Sequence, residues 1–81
     1  MRMLDPDNRQ SVHQLQLYLS PEEASEFRDA LNSLLRDPEA KEHHHLCDRR
    51  SAREISFSIV TPQKLAGGGY TKLERLVLEE R

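Results

Sequence analysis

The stretch Val12-His13-Gln14-Leu15-Gln16-Leu17-Tyr18-Leu19-Ser20-Pro21-Glu22-Glu23 decides the fold expected of this chain. Its first part alternates, with Leu15, Leu17 and Leu19 on one face and Gln14, Gln16 and Tyr18 on the other. A two-residue period with one apolar face predicts a half-buried strand. Its second part opens a helix. Ser20 is placed to cap the amide of Glu23 while the Glu23 carboxylate reaches back to the amide of Ser20, and Pro21 falls at the first helical position, where its missing N–H costs nothing. Ala24, Phe27, Leu31, Leu34 and Leu35 follow at spacings of three and four, a single apolar stripe on a helix of about four turns. Asp37-Pro38 ends it, because the residue before proline is pushed out of the α region.

Upstream of this stretch, Asp5-Pro6-Asp7-Asn8 is turn-rich, so residues 1–10 are expected to be a disordered leader and residues 11–81 a single α+β domain. Downstream, residues 42–48 and 54–60 read as the two arms of a β-hairpin joined by a short polar connection. In the second arm Ile55, Phe57 and Ile59 share one face, and Ser56 and Ser58 the other. Thr61-Pro62 stops that strand and opens a short helical turn through Gln63, Lys64 and Leu65. Gly67-Gly68-Gly69 is a break, and Thr71-Lys72-Leu73-Glu74 repeats the capping-box pattern ahead of a terminal helix with Leu73, Leu76 and Val77 inward. The expected order is β-α-β-β-α: a two-layer sandwich in which both helices cover one face of a three-stranded mixed sheet, strand order 1-3-2, with a right-handed crossover through the first helix.

Composition narrows the function classes. Of 81 residues, 36% are hydrophobic and 32% charged, a balance too apolar for a disordered tail and too charged for a membrane protein. No run approaches the ~18 apolar residues a spanning helix needs, and MRMLDPDNRQ lacks the apolar core of a secretory signal, so a cytoplasmic protein without a membrane partner is expected. Twelve basic against fourteen acidic residues, net charge −2, argue against a sequence-independent nucleic-acid binder. Cys47 is the sole cysteine, which rules out an internal disulfide and fits a reducing compartment.

With Leu46 pointing inward beside Ile55 and Phe57, the open side of the sheet collects Gln14, Gln16, Tyr18, His43, His45, Cys47, Ser56 and Ser58. Such a face reads as a polar interface, and Gln14, Gln16, Tyr18, His43, His45, Ser56 and Ser58 are its candidate partner-binding residues. The opposite register would bury His43, His45 and Cys47 beside Phe57. His43, His45 and Cys47 also invite a metal reading, since imidazoles two apart on a strand with a following thiolate can chelate zinc, copper or nickel. The remainder of a zinc signature is missing: there is no second cysteine, and His13 is the one histidine outside the His43-His44-His45 run. Cys47 with His45 or His13 and Asp48 supplies the residue types of nucleophilic catalysis, but no strained nucleophile turn or oxyanion loop accompanies them, so no enzyme and no cofactor are expected. The glycines before Thr71 lack the Lys-Ser/Thr pair of a phosphate loop and read as a hinge. Arg49, Arg50 and Arg53 crowd the hairpin tip, yet Asp48 and Glu54 flank them and no aromatic residue is interleaved for base stacking. Glu22, Glu23, Glu26 and Asp29 make the outward side of the first helix mostly negative, a surface that can steer a basic partner.

The Ser-Pro-Glu-Glu-opened helix, Glu42-His43-His44-His45-Leu46 and Ile55-Ser56-Phe57-Ser58-Ile59-Val60-Thr61-Pro62 give the stretch from about Ser11 to Arg81 a resemblance to small bacterial immunity proteins encoded beside polymorphic toxins. The resemblance implies a non-enzymatic cytosolic protein that binds and blocks a toxin. The near-neutral charge departs from the strongly acidic character of many nuclease inhibitors and points away from a nuclease target. The function expected is a non-catalytic protein-interaction module, acting on a protein partner or as a homodimer. The alternative is a small zinc-type domain using the His43, His45 and Cys47 strand face.

Overall fold

The computed structural model describes residues 1–48, 50 and 52–80. Along the chain it forms β1 (Met3–Asp5), β2 (Gln10–Val12), α1 (Pro21–Leu35), β3 (His44–Cys47), β4 (Glu54–Phe57), α2 (Pro62–Gly67) and α3 (Lys72–Leu78). These belong to two units, Met1–Leu17 with Gly68–Arg81, and Tyr18–Gly67.

In the first unit β1 and β2 pair antiparallel, with Met3 opposite Val12, Leu4 opposite Ser11 and Asp5 opposite Gln10. The connecting turn is held by Asp5, whose carboxylate accepts from the amides of Asp7 and Asn8 at 3.1 and 3.2 Å and from the Asn8 side-chain amide at 2.7 Å. Arg9 completes the turn in the left-handed region at φ 53°. α3 lies against β1. Thr71 and Glu74 close the expected capping box at its start, and Val77 is its buried residue. Leu76, expected inward, is 65% exposed. Glu80, just beyond α3, ties the chain ends together: its carboxylate accepts from Ser11 Oγ at 3.0 Å and bonds His13 Nε2 at 2.9 Å, while Arg2 donates to its carbonyl.

In the second unit α1 starts at the Ser20–Glu23 capping box and ends before Asp37-Pro38, as its sequence dictates. It packs on β3, which pairs antiparallel with β4: His44 opposite Phe57, His45 opposite Ser56, Leu46 opposite Ile55 and Cys47 opposite Glu54. The inner face therefore carries His44, Leu46, Ile55 and Phe57. Leu34 and Leu46 are buried there, Phe57 meets Phe27 of α1 at 4.7 Å between ring centres, and His44 stacks on Phe57 at 6.3 Å. Thr61 accepts the Lys64 amide at the start of α2 and donates to Glu39.

The three-stranded sheet of order 1-3-2 is not formed. The strands make two separate two-stranded sheets, β1-β2 and β3-β4, so the fold is α+β without the single mixed sheet and crossover. Only Val12 of the alternating run enters a strand. Residues 14–19 form no regular secondary structure and have no sheet partner among the described residues, and Leu15, Leu17 and Leu19 are exposed at 53%, 47% and 39%. Val12 pairs with nearby Met3 instead. Closing a tight turn takes less chain entropy than bringing together strands separated by a helix, so the local hairpin prevails. The same hairpin occupies much of the stretch expected to be a disordered leader, and residues 11–81 divide between two units.

Candidate functional site

The outer face of the β3-β4 hairpin is where polar side chains converge. Alternation along β3 sends Leu46 inward and therefore His45 and Cys47 outward. Cross-strand pairing then places Ser56 beside His45 and Glu54 beside Cys47, with Glu54 diagonal to His45. The contacts follow that register. Ser56 Oγ lies 2.7 Å from His45 Nδ1 and donates to Glu54 Oε1 at 3.2 Å, and the same Glu54 oxygen contacts His45 Nδ1. His43, one residue before β3, turns its ring edge-on to His45 with 4.8 Å between centres.

The proton positions in this triangle are fixed by chemistry. A carboxylate accepts only, so the single hydroxyl proton of Ser56 goes to Glu54, and the hydroxyl oxygen is left to accept from an N–H. That donor is His45 Nδ1. A ring proton therefore sits on Nδ1, so the neutral ring has its lone pair on Nε2. The arrangement differs from a catalytic triad, in which acid and nucleophile bond opposite ring nitrogens. Here both meet the same one.

The loop beyond β3 is built on Asp48, whose amide donates to the Arg53 carbonyl at 3.2 Å and whose carboxylate accepts from the amides of Ala52 and Arg53. Desolvation pushes the Asp48 carboxyl up, but those two amides and the Arg53 guanidinium outweigh it and hold the carboxyl below its ordinary value. Of the basic tip, Arg53 pairs with Asp48 at 3.4 Å, and Arg49 lies outside the described residues. A cleft of about 330 Å³ between the first turn of α1 and this loop is lined by Ser20, Glu22, Glu23, Glu26, Cys47, Asp48 and Arg50. Ser20 and Glu23 are already engaged with each other in the capping box.

Of the expected interface residues, the structure brings His43, His45 and Ser56 together. Ser58 follows β4 outside the strand and is exposed. Gln14, Gln16 and Tyr18 lie on the unpaired segment 14–19, exposed but on no sheet, so the single open sheet face does not exist. Cys47 is exposed on the His45 side of β3, yet among the described residues no three His, Cys, Asp or Glu side chains converge on a position that would hold a metal ion. Glu54 is the residue that the sequence reading missed, taken only as a charge flanking the arginines. Its signal was the hairpin register, which makes Glu54 the diagonal neighbour of His45 once Leu46 is set opposite Ile55. No helix among the described residues is long and apolar enough to cross a membrane. No family model, curated protein or solved structure matches the chain.

Proposed function

We propose that this chain is a non-catalytic protein-interaction module whose binding element is segment 14–19, added as a strand to a partner's sheet. The observation that supports this reading is the exposure of an alternating apolar run with no strand beside it among the described residues: Leu15, Leu17 and Leu19 open to solvent, with Tyr18 exposed at 87%. A segment outside any sheet among the described residues, with an alternating apolar pattern in its sequence, is suited to strand addition, in which main-chain hydrogen bonds supply affinity and alternate side chains supply selection. The acidic outward face of α1, with Glu22, Glu26 and Asp29 exposed, would favour a basic partner over an acidic one. The resemblance to immunity proteins fits the same mode of action, binding without chemistry.

Hydrogen exchange of the monomeric chain tests the reading. The amides of residues 15–19 are expected to exchange about as fast as those of an unfolded peptide, while β3 and β4 are protected. Protection of 15–19 in the monomer would show that the segment is already paired within the chain and would end the proposal. Affinity capture comparing the natural chain with Gln16→Pro then identifies the partner. Proline removes one amide from the segment without touching either hairpin, so a true partner is retained by the natural chain and released by the variant.

A further inference from the structure

His45 is held as a metal ligand is held. Metal-bound histidines almost always donate their second ring N–H to a carboxylate or carbonyl, which fixes the tautomer and aims the other nitrogen at the cation. His45 Nδ1–H, in reach of both the Glu54 carboxylate and Ser56 Oγ at 2.7 Å, is that arrangement, and in the neutral ring it leaves Nε2 as the acceptor nitrogen on an exposed strand face, with no hydrogen bond to it among the described residues. A second imidazole stands next to it, with the ring centres of His43 and His45 4.8 Å apart. Two imidazoles sharing one cation at the usual bond length of about 2.0–2.1 Å have ring centres roughly 4.5 to 6.5 Å apart, so the pair spans the separation that chelation requires.

We propose that His43 and His45 form a two-imidazole site for an imidazole-preferring divalent cation, Zn²⁺ or Cu²⁺, in which Glu54 is the positioning residue that presents His45 Nε2. Water fills the remaining coordination positions, since among the described residues no third protein donor converges there. Cys47 is given no ligand role: it shares the outer face with His45, but among the described residues it does not converge with the two imidazoles, and it lines the cleft beside α1. A nitrogen-only donor set on an open face selects against Mg²⁺ and Ca²⁺, which need oxygen ligands, and favours Cu²⁺ over Zn²⁺ by the general order of divalent affinities. The site does not depend on segment 14–19, so either proposal can fail without the other.

Calorimetric titration of the full chain with ZnCl₂ and CuCl₂, with MgCl₂ as the control, reads the site directly. One cation per chain is expected, with a zinc dissociation constant on the order of 10 µM and tighter copper binding. His43→Ala and His45→Ala should each weaken zinc by about tenfold or more, Glu54→Gln by about tenfold, and Cys47→Ser not at all. His43, His45 and Glu54 are exposed, so these variants keep the hairpin, which unchanged circular dichroism verifies. Nitrogen chemical shifts of the metal-free chain supply an independent reading, with His45 expected in the Nδ1–H form. Millimolar zinc binding, equal affinity in His45→Ala, or loss of affinity in Cys47→Ser would overturn the site. An Nε2–H tautomer, or unchanged zinc affinity in Glu54→Gln, would overturn the role given to Glu54.

Discussion

Leu46 is the side chain on which the second unit rests. It is 7% exposed, sits opposite Ile55 and belongs to the strand that packs against α1, whose buried residue is Leu34. Truncating a buried leucine costs about 2–5 kcal/mol, and an exposed unit of this size can collapse partly into the gap, so Leu46→Ala should cost about 2 kcal/mol. In a domain of this length that lowers the melting midpoint by about 8–16 °C, and thermal denaturation followed by circular dichroism measures it. A shift of about 2 °C or less would mean that Phe27 and Phe57 carry the unit without Leu46. Arg9 presents the opposite case, a residue whose conformation costs energy. At φ 53° it adopts a backbone that costs an L-residue roughly 1–2 kcal/mol, whereas glycine there loses about 0.5–1 kcal/mol through its freer unfolded chain. The difference favours glycine, so Arg9→Gly should stabilise the first unit by about 0.5 kcal/mol. Urea denaturation at constant slope checks the sign, and destabilisation would mean that the Arg9 side chain contributes more than its backbone loses.

Between residues and the molecule stand the elements, and the two capping boxes show how differently the same device acts on helices of unequal length. Ser20 and Thr71 each accept the amide three residues on at 3.1 Å, and Glu23 and Glu74 return the bond at 2.9 and 2.8 Å. Removing such a hydroxyl costs about 1 kcal/mol. α1 runs for 15 residues and α3 for seven, below the length at which a helix persists without its tertiary contacts. Thr71→Ala should therefore leave the first turn of α3 in rapid amide exchange, whereas Ser20→Ala should only lower the midpoint. Equal fraying of both helices would contradict this. Both caps were legible because each needs only four consecutive residues. The β3-β4 hairpin was legible for a related reason, since its arms are close in sequence, although the histidine run left two inward registers open until pairing set Leu46 opposite Ile55. The run from Leu15 to Leu19 was not. Alternation assigns side chains to faces but names no partner strand, and the nearby Met3–Asp5 segment, too short to show a pattern, took Val12 instead. The His45–Ser56–Glu54 triangle lay one step further from the sequence, because Glu54 reaches His45 only after pairing has set the diagonal.

Across the whole molecule, acid stability is the property that both units share. Three carboxyls lie below their ordinary values for reasons of hydrogen bonding: Glu80, through His13 first and then Ser11; Asp5, through the Asn8 side-chain amide and then its backbone; and Asp48, where desolvation acts upward and the Ala52 and Arg53 amides overcome it. The sign follows from linkage. A carboxyl whose pKa is lowered by folding binds its proton more weakly in the native state, so its contribution is complete above the unfolded value and is lost as pH falls through the native one. Stability should therefore be flat down to about pH 5 and decline progressively below about pH 4. General charge repulsion predicts a decline as well, because acid neutralises 14 carboxylates and leaves 12 lysines and arginines. Salt separates the two causes. Repulsion between exposed charges more than about 10 Å apart is screened at about 0.1 M salt, whereas the loss of a hydrogen-bonded carboxylate is not. Urea midpoints measured from about pH 7 to pH 2.5, at low salt and at about 0.3 M NaCl, should keep most of their acid slope at the higher salt. Asp48→Asn should flatten that slope in hairpin amide exchange, and Glu80→Gln in the exchange of β1, β2 and α3. If salt abolished the slope, or if neither substitution altered it, the acid response would belong to the net charge and not to these three carboxyls.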